Sequence, residues 1–135
     1  MQSYLYTSLV TLIASLACFW MATQVARTHT RTGILAPTMT GHPDLDRAVR
    51  GHANTVEWMP IFLPSLWLFA IYWNDKVAAL AGAVWIVGRI VYFLGYRADP
   101  KKRFPGFFIQ AMAAAFLLLG ALGRVVYLLV APPAA

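Results

Sequence analysis

Four long apolar stretches dominate this sequence: roughly residues 4–26, 56–73, 77–96 and 107–130. Each is close to the ~20 residues that a helix rising 1.5 Å per residue needs to cross about 30 Å of hydrocarbon. Only helices and closed barrels satisfy their own backbone in lipid, and runs of this length favour the helix. The expectation is an all-α integral membrane fold, an antiparallel bundle of four transmembrane helices built from residues 1–135 as one domain. Composition agrees, since 60% of the residues are apolar and 12% are charged, against about 45–50% and 25% in soluble chains. The opening "MQSYLY" lacks a basic leader, and the apolar run behind it exceeds a signal core, so the first stretch is read as an uncleaved helix.

The net charge of +6 raises the question of nucleic acid, but its distribution answers otherwise. Arg27, Arg31, Arg47 and Arg50 precede or open the second helix, and Arg97, Lys101, Lys102 and Arg103 follow the third, whereas the connection between those helices holds only Lys76. This alternation matches the positive-inside pattern with both basic connections cytoplasmic and both termini outside. A membrane-lipid environment and no nucleic-acid partner are expected.

The first connection is punctuated by Gly33, Pro37, Gly41 and Pro43. Pro43 with Asp44 and Asp46 has the form of a helix start, which begins the second helix at about residue 44, before the membrane. "YWNDKVA" is short enough to make helices two and three a hairpin, and "RADPKKRFPG" joins helices three and four.

The stretch "DRAVRGHANTVEWMP" feeds polar groups into this apolar frame. Arg47, Arg50, Asn54 and Glu57 recur at spacings of three, four and three, which puts them on one helical face, with His52 beside it. Glu57 lies inside the apolar run, where an unpaired carboxylate costs about 2–4 kcal/mol or more, so it needs compensation. Arg50 or Arg89 can supply it. In "GRIVYFLGYRADPKKRF", Arg89, Tyr92 and Tyr96 share a second face that leads to Arg103. Both stripes end on the same side of the membrane. Spacing alone leaves two readings open: a network that locks the bundle, or a cationic cavity for a small anion that also carries an amine.

The R-x-x-x-N-x-x-E core of "RAVRGHANTVEWMP", the preceding "TGHPDLDR" and "GRIVYFLGYRADPKKRFPG", in this order and spacing, resemble the MAPEG superfamily of membrane-associated proteins in eicosanoid and glutathione metabolism. The resemblance covers nearly the whole chain and is nearest in kind to the microsomal glutathione transferases. It implies four-helix subunits assembled as a homotrimer, with glutathione as co-substrate between neighbouring subunits near the cytoplasmic side. By the same matching, Arg50, His52, Asn54, Glu57, Tyr92 and Tyr96 are implied to hold glutathione. Arg103 is implied to be the catalytic group beside its thiol, where a guanidinium favours thiolate. Arg31 and Arg89 are further candidates. Trp58 stands where several eicosanoid-forming relatives have tyrosine, and "RTHTRT" stands where they end the first helix with paired arginines.

The implied function is conjugation of glutathione thiolate to small lipophilic electrophiles, a detoxifying transfer, with glutathione-dependent peroxidase activity alongside. The alternative is a non-catalytic lipid-binding or lipid-presenting member of the same fold. No metal is expected, because His29, His42 and His52 lack a ligand spacing with acids on a common face. The lone Cys18 lies in an apolar run and is read as a packing residue. Arg124 in the fourth helix is read as structural. A bacterial inner membrane is favoured over the endoplasmic reticulum as the host.

Overall fold

The computed structural model describes residues 3–133. Four helices carry the fold: α1 (Leu5–Thr32), α2 (Pro43–Tyr72), α3 (Asp75–Ala98) and α4 (Phe104–Val130), with a 3-10 turn over Pro100–Arg103 leading into α4. Among the described residues there is no strand, and all four helices are long and apolar enough to cross a membrane. The chain is an all-α membrane bundle.

Every helix is longer than its apolar run. α1 continues past residue 26 to Thr32, so Arg27 and Arg31 are helical and the first loop contracts to residues 33–42. Polar residues end a membrane run without ending a helix, because backbone hydrogen bonding continues into water. The stop is Gly33, whose φ of 73° lies in the left-handed region and whose N–H donates to the His29 carbonyl at 3.0 Å, a glycine C-cap. At the start of α2, Pro43 occupies the first turn as expected. His42 caps the helix, its Nδ1 accepting the Asp44 N–H at 3.1 Å. Pro105 likewise sits in the first turn of α4, where its missing donor removes nothing.

Pro60 and Pro64 lie inside α2 without ending it. Each lacks the N–H that would reach four residues back, so the Val56 and Pro60 carbonyls have no helical donor. The core forms where α1, α2, α3 and α4 meet. Phe62 stacks on Trp85 with ring centroids 3.9 Å apart, beside Val10, Ala14, Leu66, Phe69, Leu117 and Ala121.

α3 and α4 approach closely at two glycines. A Cβ on Gly88 would stand 2.6 Å from the Gln110 backbone nitrogen, and one on Gly106 would collide with the Tyr92 backbone. Small residues of this kind let membrane helices touch along their main chains. The contact fixes the start of α4 against Tyr92, and thereby positions the cavity described next.

Candidate functional site

At the basic end of the bundle, α2 contributes Arg50 and Asn54, α3 contributes Tyr92 and Tyr96, the 3-10 turn contributes Arg103, and the first turn of α4 contributes Phe104 and Phe107. These seven residues line one open cavity of 510 Å3. Arg50 and Asn54 are one turn apart on α2, and Tyr92 and Tyr96 one turn apart on α3, so each pair presents side by side. The tyrosine rings stack with centroids 5.8 Å apart and planes inclined by 5°. The Arg103 guanidinium lies 5.9 Å from the Tyr96 ring centroid, within cation–π range.

Arg89 underlies this cavity rather than facing it. The residue is fully buried. Its Nε and Nη2 donate to Thr55 Oγ1 at 3.2 and 2.8 Å, and Nη2 also donates to Asn54 Oδ1 at 2.8 Å. The guanidinium carbon stands 4.3 Å from the Tyr92 ring centroid. A guanidinium has donors only, so the Asn54 atom turned toward it must be the carbonyl oxygen, and the amide NH2 is left to donate elsewhere. Arg89 thus sets the orientation of Asn54 and braces Tyr92. Thr55, the acceptor for two of these bonds and itself a donor to the Gly51 carbonyl at 3.0 Å, was not singled out by the sequence reading. Its only signal was its place beside Asn54 on the inward side of α2.

Glu57 is compensated by Arg50, with Nη1 to Oε1 at 3.0 Å, and both side chains are about half exposed at 54%. Arg89 takes no part in that ion pair. Glu57 reaches the cavity only through its pair with Arg50 and does not line it, and two further candidates lie apart from it in the single subunit. Arg31 pairs with Asp44 at 3.0 Å, and His52 is half-buried on α2 but does not line the space. Arg47 donates to the Arg97 and Ala98 carbonyls at 3.2 and 3.4 Å, a cap on the C-terminal end of α3. Trp58 meets Phe107 edge-on at 5.7 Å, closing the apolar side of the site. Among the described residues, no three His, Cys, Asp or Glu side chains gather as a metal site requires.

The MAPEG family model matches residues 7–123. The chain belongs to the MAPEG family. Its relatives include human microsomal glutathione S-transferase 2, which is 37% identical over 115 residues, covering 84% of this chain and 78% of that protein. Leukotriene C4 synthase of Cavia porcellus is 33% identical over 121 residues, covering 89% of this chain and 81% of that enzyme. An uncharacterised protein of Synechocystis is 39% identical over 118 residues, covering 87% of this chain and 86% of its own. The matched span runs from α1 into α4 and includes all seven residues lining the cavity.

Proposed function

We propose that the protein is a membrane-bound glutathione transferase that joins glutathione to small lipophilic electrophiles. The observation carrying this reading is the convergence of Arg50, Asn54, Tyr92, Tyr96 and Arg103 on one open cavity, in a chain similar to a named glutathione transferase and a named leukotriene synthase. Its 510 Å3 falls within the roughly 300–1,000 Å3 of small-molecule sites.

The chemistry of the lining fits a tripeptide with two carboxylates, one ammonium and one thiol. Arg50 offers a planar fork to a carboxylate, and Glu57 beside it meets the ammonium. The Asn54 NH2, freed by Arg89, donates to a second anionic oxygen. Tyr92 and Tyr96 supply phenols and ring faces. Arg103 lies at the mouth, where its positive charge favours ionisation of the thiol. The thiol proton passes to solvent, and the sulfur lone pair forms a carbon–sulfur bond as the electrophile's leaving group departs with its bonding electrons. No protein nucleophile is required, and Cys18, the one cysteine of the chain, does not line the cavity.

The resemblance to the family implies a homotrimer; in that assembly a neighbour would complete the open wall of the cavity, and His52 and Arg31, which do not line it in the single subunit, would contribute only across that seam. The excess of Lys and Arg at this end supports a cytoplasmic position for it, and a bacterial inner membrane remains our choice of host. Reduction of lipid hydroperoxides by the same thiolate is a second activity of this arrangement.

The test is a glutathione titration of detergent-purified protein that follows thiolate absorbance in wild type and Arg103→Ala. Saturable thiolate formation in wild type, lost in the variant while assembly is unchanged, is the expected result. Binding without thiolate would replace the transferase by a ligand-binding or lipid-presenting role. An assembled protein that binds no glutathione would reduce the polar stripe to architecture.

A further inference from the structure

The end of the bundle remote from the cavity carries a cation that none of this chemistry uses. Arg124 lies in the last turns of α4, and its guanidinium carbon stands 5.3 Å from the Trp73 ring centroid and 5.6 Å from that of Tyr127. Its Nε is buried with no hydrogen-bond partner among the described residues. No described carboxylate pairs with it, since the ion pairs present are Arg31 with Asp44 and Arg50 with Glu57. Asp75, the acid at this end, is committed to the backbone N–H groups of Tyr6 and Thr7 at 3.2 and 2.9 Å. The Trp73 indole N–H is likewise occupied, donating to the Gly120 carbonyl at 2.8 Å, so the ring is held as a platform.

Two aromatic faces compensate part of an arginine's desolvation but accept none of its N–H bonds in the plane of the fork. The plane needs an anion. Trp and Tyr are the residues that settle at the headgroup level of a bilayer, which places Arg124 where lipid phosphates lie.

Deeper in the membrane than Arg124, and separated from it by Phe69 and Trp73 over Gly120, lies a surface suited to a hydrocarbon chain. Ala113, Phe116, Gly120, Arg124 and Tyr127 recur at spacings of three, four, four and three, and so share one face of α4. Along the same face an apolar groove of 360 Å3 opens between α3 and α4, lined by Val77, Leu80, Val84, Met112 and Phe116 among others. Beside Arg124, a Cβ on Gly123 would meet nothing within 4 Å, so the space next to the guanidinium's helix turn is open. From Met112 to Arg124 the helix rises about 18 Å at 1.5 Å per residue, close to one leaflet of a core about 30 Å thick.

We propose that Arg124, flanked by Trp73 and Tyr127, binds the phosphate of an anionic phospholipid in the leaflet remote from the glutathione cavity, with one acyl chain in the α3–α4 groove. The charge balance selects the anionic class. A zwitterionic headgroup carries its own ammonium against its phosphate, and among the described residues no free carboxylate at this end would receive that ammonium.

The experiment is native mass spectrometry of the whole assembled protein in non-ionic detergent, with equal amounts of phosphatidylglycerol and phosphatidylcholine of identical chains. Wild type is expected to retain the anionic lipid about fivefold over the zwitterionic one, the ratio that one basic group near a headgroup supports. Arg124→Gln abolishes the preference, Arg124→Lys keeps most of it, and Leu80→Trp, which fills the groove but spares the cation, lowers retention of both lipids. An unchanged preference in Arg124→Gln would overturn the proposal and assign the lipid to the Lys101, Lys102 and Arg103 cluster. A smaller assembly in Arg124→Gln with lipid retention intact would also overturn it, by seating Arg124 against a second copy. If Arg124→Gln does not assemble, Leu80→Trp decides: undiminished retention there removes the groove from the site.

Discussion

Gly106→Ala is the substitution that most directly tests how the cavity is built. The new Cβ would lie 2.6 Å from Tyr92 Cα and 2.7 Å from the Gly88 carbonyl oxygen, and would collide with the Tyr92 nitrogen. Non-bonded carbon atoms are comfortable at about 3.5–4.0 Å, so α4 must withdraw from α3 by roughly 1 Å. All three obstructing atoms are backbone, and no rotamer change relieves them. Overpacking of this kind costs about 1–3 kcal/mol. The functional loss is larger, because Arg103 and Phe107 flank residue 106 and would move with it away from Tyr92 and Tyr96, and a displacement of about 1 Å in a positioning group can lower a rate ~100-fold. Thermal unfolding in detergent and initial rates of conjugation to a chromogenic electrophile read the two effects separately. Gly123→Ala is the control, since its Cβ meets nothing within 4 Å, and it should unfold no earlier than wild type. A Gly106→Ala protein with wild-type melting and wild-type rate would refute the claim that backbone contact between α3 and α4 sets the site.

Two further outcomes follow from the polar network. Thr55→Val keeps the shape of α2 but removes the acceptor of two Arg89 bonds, and should cost about 1.5–3 kcal/mol, the range for bonds to a charged group. It should also weaken glutathione binding through Asn54, measured by the same thiolate titration; full stability in chemical unfolding would show that Arg89 finds another acceptor. A double-mutant cycle on Arg50 and Glu57, both 54% exposed in the single subunit, reads whether water fills the open cavity beside them: with water there the coupling in ligand-free protein should stay below about 1 kcal/mol, as for screened pairs. A coupling of several kcal/mol would mean that a neighbouring subunit desolvates the pair.

Much of this architecture was legible before any coordinates. The apolar runs located all four helices, and the spacing of Arg50, Asn54, Tyr92 and Tyr96 anticipated the two stripes that meet across the cavity. Helix ends were less legible: α1 passes its apolar run by six residues, from 26 to Thr32, because hydropathy reports where lipid stops and backbone bonding reports where the helix stops. Arg89 was visible only as a charge on the right face. Its burial under Asn54 and Tyr92 depends on Thr55 and on the α2–α3 packing, which a one-dimensional pattern does not encode. Pairing of Glu57 was equally open to Arg50 and Arg89 by spacing, and three-dimensional geometry gave it to Arg50.

Asp75 holds the amides of Tyr6 and Thr7, joining the beginning of α1 to residues made long after it. During synthesis these two bonds can form only once the start of α3 has been made, so the first turn of α1 gains its acceptor after α2 is complete. The carboxylate ties the open first turn of α1 to the start of α3, so exchange of those two amides with solvent reports whether the first helix stands as an independent span or as part of the bundle.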